Sequence, residues 1–184
     1  MNSQENPKLL ETYLKEYDSL KEEQRHRIGF RDNMLYVTLG AVGAVCAFAL
    51  ADPAHYFALL VVPWICVVLG WTYLVNDQKV SAIGEYIRVT IEPRIKEETK
   101  ASVERVFGWE EAHRADPWRY KRKALQLVVD ELAFVASGLV ILATFVAWSP
   151  SLSPMTIVFV SVEAFVLIAL GVLVYLHADL RVGA

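Results

Sequence analysis

Charge is missing where a soluble protein would carry it. No Lys, Arg, Asp or Glu lies between Asn33 and Ala51, from Pro53 to Asn76, or from Leu132 to Val162. Cysteine is scarce, with only Cys46 and Cys66 among 184 residues, and both fall inside these uncharged stretches. There is no CxxC and no paired spacing, so neither a disulfide framework nor a cysteine zinc site is supported, and each thiol reads as a small buried apolar group. A Gly-rich phosphate loop is also missing. So are strand-type alternation, low-complexity tracts and any convincing internal repeat. The first 20 residues, MNSQENPKLLETYLKEYDSL, have no basic stretch leading into an apolar core, so they are not read as a cleaved signal peptide. These absences exclude the common enzyme signatures. The chain reads as a non-enzyme with no catalytic residue, no cofactor, no metal and no nucleic-acid partner.

What is present is apolar length. The chain is 55% apolar, against about 45–50% in soluble domains. A helix crosses about 30 Å of hydrocarbon with about 20 apolar residues. The last uncharged stretch is split by the turn chemistry of SPSLSP, residues 149–154. Four spans follow, at about 34–51, 55–75, 132–148 and 155–177. The expected fold is all-α, a four-span transmembrane helical bundle with a small helical cytoplasmic part made of stalk extensions. Its segments are an amphipathic helix (1–33), a first transmembrane hairpin (34–75), a helical segment (76–131), a second hairpin (132–177) and a tail (178–184).

Helix starts are marked by an Asn, Asp or Ser followed by proline: Asn6-Pro7, Asp52-Pro53, Asp116-Pro117 and Ser153-Pro154. The polar side chain satisfies free N–H groups, and proline occupies a position that needs no donor. The first helix is expected from about Pro7 to Ala51. Its 27 residues before Met34 would extend about 40 Å if unbroken, with Gly29 and Asp32 as places for a bend. On this stalk Leu10, Tyr13, Leu14, Tyr17, Leu20, Gln24 and Ile28 share one face. After the second span Val80, Ile83, Ile87, Ile91 and Ile95 repeat the pattern. Pro93 is expected to interrupt it, with a further helix over about 94–107 offering Ile95, Val103, Val106 and Phe107. In the first span Gly40 and Ala44, and Gly43 and Ala47, sit four apart. That spacing lets helix backbones approach closely, on a helix of the same chain or of a neighbour.

Glu163 is the one acid inside a span. It lies nine residues past Pro154, about 13 Å along the helix, near the midplane. A carboxyl group there costs a few kcal/mol on insertion scales, about 2.5–3.5 for Asp. It should face protein or water and spend much of its time protonated. Trp64 lies at a similar depth, Ser137 and Thr144 lie about a turn to either side on the third span, and Pro63 leaves a carbonyl of its own helix without the usual donor. Three roles follow for Glu163: a neutral hydrogen-bonding link between helices, part of a polar ring lining a pore in an oligomer, or a proton- or cation-binding carboxylate in transport. No second acid or base lies within a span, which weighs against a proton relay. Four helices are also few for a transporter.

Other clusters read as structural. Glu110, Glu111, His113 and Asp116 in GWEEAHRADPW suggest a charged linker. A membrane protease of the CAAX-processing type would want three residues between Glu-Glu and Arg, and here Arg114 follows after two. The basic run Arg119, Lys121, Arg122 and Lys123 suits anionic headgroups, at about 1 kcal/mol per basic residue, or an anionic ligand. Asp130 and Glu131 cap the third span, as interfacial acids or as an acidic mouth on a cation path. Trp71, Trp109, Trp118, Trp148 and Tyr175 fall mostly where an aromatic belt would be.

The run LYVTLGAVGAVCAFAL…VPWICVVLGWTYLVNDQKVSAIGEYI, within residues 28–95, resembles small bacterial multi-pass membrane proteins, some of antiphage-effector type. The resemblance is one of architecture. It implies an oligomeric effector in the bacterial inner membrane that permeabilises the bilayer or acts like a channel. Control would come through the cytoplasmic helices, by a cytoplasmic protein or a nucleotide signal. An anchor or accessory subunit that recruits a cytoplasmic partner is the alternative. An ion- or proton-coupled transporter is a more distant one.

Topology gives the first testable expectation. Six of the 18 Lys and Arg residues precede the first span, 11 lie between the second and third, and Arg181 follows the fourth. The connectors ADPAHY and SPSLSP carry none. The positive-inside rule then places both termini and Gly108 in the cytoplasm, with His55 and Ser151 outside. Impermeant thiol labelling of single cysteines in a Cys-free background is expected to reach position 151 from outside only. Labelling from the inside alone would reverse the topology.

Overall fold

The computed structural model describes residues 5–99 and 118–178. Every regular element among them is helical, and there is no strand. The order is α1 (Glu5–Ala51), a 3-10 helix (Pro53–Leu60), α2 (Val61–Tyr86), a π turn (Ile87–Ile91), α3 (Glu92–Thr99), α4 (Arg119–Asp130), a second π turn (Glu131–Ala136), α5 (Ser137–Trp148) and α6 (Pro154–His177). Four of these stretches are long and apolar enough to cross a membrane: Pro7–Ala51, Pro53–Thr99, Tyr120–Trp148 and Pro154–His177. The protein is membrane-embedded and multi-pass.

The expected caps form at two starts. Asp52 accepts from the Ala54 N–H at 2.8 Å, although the turn it opens is 3-10 rather than α. Ser153 accepts from the Thr156 N–H at 3.1 Å. α1 begins at Glu5, just before Asn6-Pro7, and stays helical through Gly29 and Asp32. Asp116-Pro117 lies outside the described residues, as do Val103, Val106 and Phe107.

The described residues divide into two units. One comprises residues 5–30 and 76–99. Here Arg27 donates to the Asn76 side chain at 3.3 Å, and the Gln24 amide donates to the Val80 carbonyl at 3.1 Å. Further along, the Tyr86 hydroxyl donates to Glu16 at 2.9 Å, and Arg94 lies over the Tyr13 ring at 5.6 Å. One residue number falls as its partner's rises, so the two helical segments run antiparallel. Gly84 makes the Gln24 contact possible, since a Cβ there would stand 3.3 Å from the amide nitrogen. Ile91 and Ile95 are buried against Leu10, Tyr13, Tyr17 and Leu20. Leu14, expected on the same face, is exposed.

Pro93 does not interrupt the helix as expected. Its missing N–H and ring bulk fall on the carbonyl four residues back, at Val89. The preceding turn widens instead, and the Glu92 N–H reaches back five residues to the Ile87 carbonyl. The helix continues through the proline as α3.

The second unit comprises residues 31–75 and 120–178. Its core is made by Val62, Cys66, Tyr73 and Leu74 of α2, Phe134, Leu142 and Phe145 of the third span, and Leu167, Leu170 and Val174 of α6. α1 contributes Met34, Ala49 and the fully buried Thr38, whose hydroxyl returns to the Met34 carbonyl at 2.7 Å. Large apolar side chains face outward, Phe165 at 72% exposure and Met155 at 84% among them. That inversion suits lipid, where apolar exposure carries no penalty.

Glycines set how closely these helices meet. A Cβ on Gly70 would stand 2.8 Å from Leu170 Cδ2 and 3.0 Å from Phe134 Cβ. On Gly138 it would stand 2.9 Å from Leu167 Cδ1, and on Gly171 3.0 Å from Glu131 Oε2. At Gly40 and Gly43 it would meet nothing within 4 Å. The contacts within the chain therefore use three glycines that spacing did not single out.

The second π turn ends at Ser137. The Ser137 hydroxyl donates to the Ala133 carbonyl at 2.6 Å, taking the acceptor its own N–H would use in an α-helix. That N–H goes back to Leu132 instead.

The packing predicts an order of stabilities. Gly70→Ala forces a methyl against Phe134 Cβ, an atom fixed to its backbone, and is expected to destabilise by about 1–3 kcal/mol. Gly138→Ala meets only the tip of Leu167, which can turn away, and should cost less. Gly43→Ala should be neutral or slightly stabilising, because alanine favours the helix by up to about 1 kcal/mol. Reversible unfolding in mixed detergent micelles measures the order. A Gly43→Ala protein as unstable as Gly70→Ala would contradict this packing.

Candidate functional site: a buried carboxyl among apolar helices

α6 is apolar on almost every face, and Glu163 is its one charged residue between Pro154 and Leu176. Its side chain points inward, and the residue is 1% exposed. Leu167, one turn further on, packs against Gly138, so the third span approaches α6 closely beside the acid. Both carboxyl oxygens are buried, and neither has a hydrogen-bond partner of good geometry among the described residues.

Of the three residues expected at its level, the structure brings one to it. The Trp64 indole lies within electrostatic reach of the carboxyl, though not in a well-formed hydrogen bond. Its ring packs on Phe159, one turn before Glu163, with centroids 6.4 Å apart. The other edge of this tryptophan faces out, and the residue is 41% exposed. Ser137 is occupied elsewhere. Beyond its bond to Ala133, its hydroxyl lies 3.5 Å from Cys66 Sγ. Thr144 turns its hydroxyl back to the Val140 carbonyl at 2.9 Å. Both residues follow the habit of Ser and Thr in apolar helices, where bonding the preceding turn satisfies the hydroxyl locally. The carbonyl left by Pro63 is that of Leu59, and the Val61 N–H approaches it. Glu163 does not use it.

The other sequence candidates separate. Gly40, Gly43, Ala44 and Ala47 are exposed on α1. Lys121 and Arg122 are exposed on α4 and Lys123 is half-buried. The GWEEAHRADP segment lies outside the described residues. Of the aromatic belt, Trp71, Trp118, Trp148 and Tyr175 are more than half exposed, and Trp109 lies outside the described residues. No group of three or more His, Cys, Asp or Glu that could hold a metal occurs among the described residues.

Asp130 is not an open acidic mouth. It is 6% exposed and accepts from the Gln126 amide at 2.8 Å, and the same amide lies 2.8 Å from the Tyr73 hydroxyl. The Arg31 guanidinium sits over the Tyr73 ring at 5.8 Å. Gln126 stands four residues before Asp130, a helical pairing visible in the sequence, so this buried network could have been found by spacing. Tyr73 and Arg31 come from other helices and left no such signal.

The site is therefore a carboxyl group enclosed by apolar helices, and among the described residues it has one indole beside it and no countercharge in reach. Neutral, it can donate one hydrogen bond; ionised, it can only accept. Comparison with protein-family models, with curated proteins and with solved structures gave no match to this chain.

Proposed function

We propose that this protein is a non-enzymatic, self-associating inner-membrane protein that changes bilayer permeability, with its polar helical unit in the cytoplasm as the controlling part. The observation that carries the proposal is the open small-residue face of α1. Gly40, Gly43, Ala44 and Ala47 share one exposed face at close-packing spacing, and among the described residues nothing lies within 4 Å of where a Cβ on Gly40 or Gly43 would stand. Inside a bilayer such a face gains dispersion contacts only from another helix that fits it. A second copy presents the same face, and a symmetric pairing follows from that self-complementarity. The resemblance to effector-type membrane proteins and the positive-inside count agree with this reading. Lys121, Arg122 and Lys123 would then sit at the inner leaflet, beside anionic headgroups.

A second reading has its own support. Leu9 and Leu14 of α1 and Val89 of the first π turn are exposed apolar side chains in the polar unit. They suit an accessory subunit that recruits a partner protein. Both readings predict membrane insertion, but only the first predicts assembly of the isolated protein.

Mass measurement in nanodiscs, with dye release from vesicles of purified protein, separates them. The effector reading expects an oligomer, Gly43→Ile to disperse it, and dye release to be lost with it. Gly43→Ile should not lower the unfolding midpoint of the monomer, because the space where its Cβ would stand is open among the described residues and isoleucine favours a helix over glycine. A monomer at all concentrations that never releases dye would favour the accessory subunit.

A further inference from the structure

We infer that Glu163 is a proton-binding site whose occupancy sets how tightly the four spans pack. The inference does not need the protein to permeabilise membranes, and its test reads a different quantity.

A buried acid earns its place in an apolar helix by bonding a neighbour, by filling space or by changing charge. Glu163 has no well-formed hydrogen bond on either oxygen, so it does not act as a link between helices. Leucine would fill the same space without the insertion penalty. Charge change is what remains. The neutral form fits the enclosed position. The ionised form, with no countercharge, requires water or a better-aligned donor. The Trp64 indole, beside the carboxyl and 41% exposed as a residue, is the donor at hand.

Few other groups compete. α6 carries no other charge until His177, fourteen positions on. α2 contributes the Trp64 indole and the Cys66 thiol, and the first span contributes Thr38 and the Cys46 thiol. On the third span the Ser137 hydroxyl donates to the Ala133 carbonyl and lies 3.5 Å from Cys66 Sγ. Glu131 is the nearest carboxylate, and it packs at Gly171, eight positions and about 12 Å along α6 from Glu163. A metal ion would need several oxygens, and the described residues supply a single carboxyl. The proton is therefore the ligand. The packed unit holds it and a loosened unit releases it, so linkage makes packing tightest at low pH and weaker as pH rises.

Two readouts test this in vesicles. The first is the infrared carbonyl band of a protonated carboxyl without a hydrogen bond, assigned by its loss in Glu163→Gln. The second is the reaction rate of Cys66, fully buried on α2, with a membrane-permeant thiol reagent in a Cys46→Ala background. Glu163→Gln cannot ionise, so dividing by its rate removes the thiol's own pH dependence. The wild-type band should fade as pH rises, while the rate ratio climbs about tenfold per pH unit below the midpoint, as expected for one proton. Glu163→Leu should match Glu163→Gln in rate and serves should the latter fail to fold. A band that persists at every pH with a flat ratio would overturn the inference, leaving Glu163 a neutral packing residue. So would a band that fades together with the exposed carboxyls, since the group would then be open to solvent.

Discussion

Close backbone approach is the constraint on which the membrane-spanning unit depends. In water, helices associate because apolar faces leave solvent; in hydrocarbon that gain vanishes, and dispersion between well-fitted surfaces has to replace it. Gly70, Gly138 and Gly171 allow that fit by receiving Leu170, Phe134, Leu167 and Glu131 into space that a methyl group would fill. Phe134, Phe145 and Leu167 are fully buried as a result, although the surface around them is apolar too. The polar unit obeys the other rule. There the buried isoleucines of one helix meet the leucines and tyrosines of its antiparallel partner, and charged side chains pair along the rim.

Two π turns show how local chemistry is absorbed without ending a helix. At Pro93 a donor is missing and a ring intrudes. At Ser137 the hydroxyl bonds the carbonyl four residues back, as Thr38 and Thr144 also do inside regular α-helix, and here the N–H moves to Leu132. The response is the same in both, a hydrogen bond reaching back five residues rather than four. A wider turn shifts the register of everything after it, so each one re-aims the following face. Past Pro93, Ile95 stays on the buried side with Ile91, four residues before it. After Ser137, Gly138 lies against Leu167.

Much of the fold was legible because its signals are local. Uncharged length located the four spans, and the Asp52 and Ser153 caps located two helix starts. The stalk periodicity named Leu10, Tyr13, Tyr17, Leu20 and Ile91 as packed residues. The errors came where local patterns compete with tertiary ones. Proline predicts a break only if the preceding turn cannot widen. Spacing of four drew attention to Gly40 and Gly43, yet Gly70, Gly138 and Gly171 make the contacts, each facing a bulky side chain from a helix distant in sequence. Leu14 fits the stalk pattern and is exposed. At the candidate site, Glu163 and its neighbour Trp64 were legible from depth alone. Ser137 and Thr144 were not excluded by depth, because depth says nothing about a hydroxyl's preference for its own helix.

Glu163 gains its meaning from this economy of polar groups. Thr38, Thr72, Ser137, Thr144 and Ser161 each satisfy a hydroxyl by bonding the carbonyl four residues earlier, so none needs a partner on another helix. A carboxyl on a longer side chain has no comparable local solution in a regular helix. It must find a partner across the bundle, reach water, or stay neutral and unbonded. The described residues offer it the Trp64 indole and no well-formed hydrogen bond, and from that arrangement the proton-binding role is inferred. Glutamine there would keep the polar cost without the ability to ionise, and leucine would remove both. What distinguishes glutamate from either is a charge that can appear and vanish, and in hydrocarbon that change acts on the fit of every helix around it.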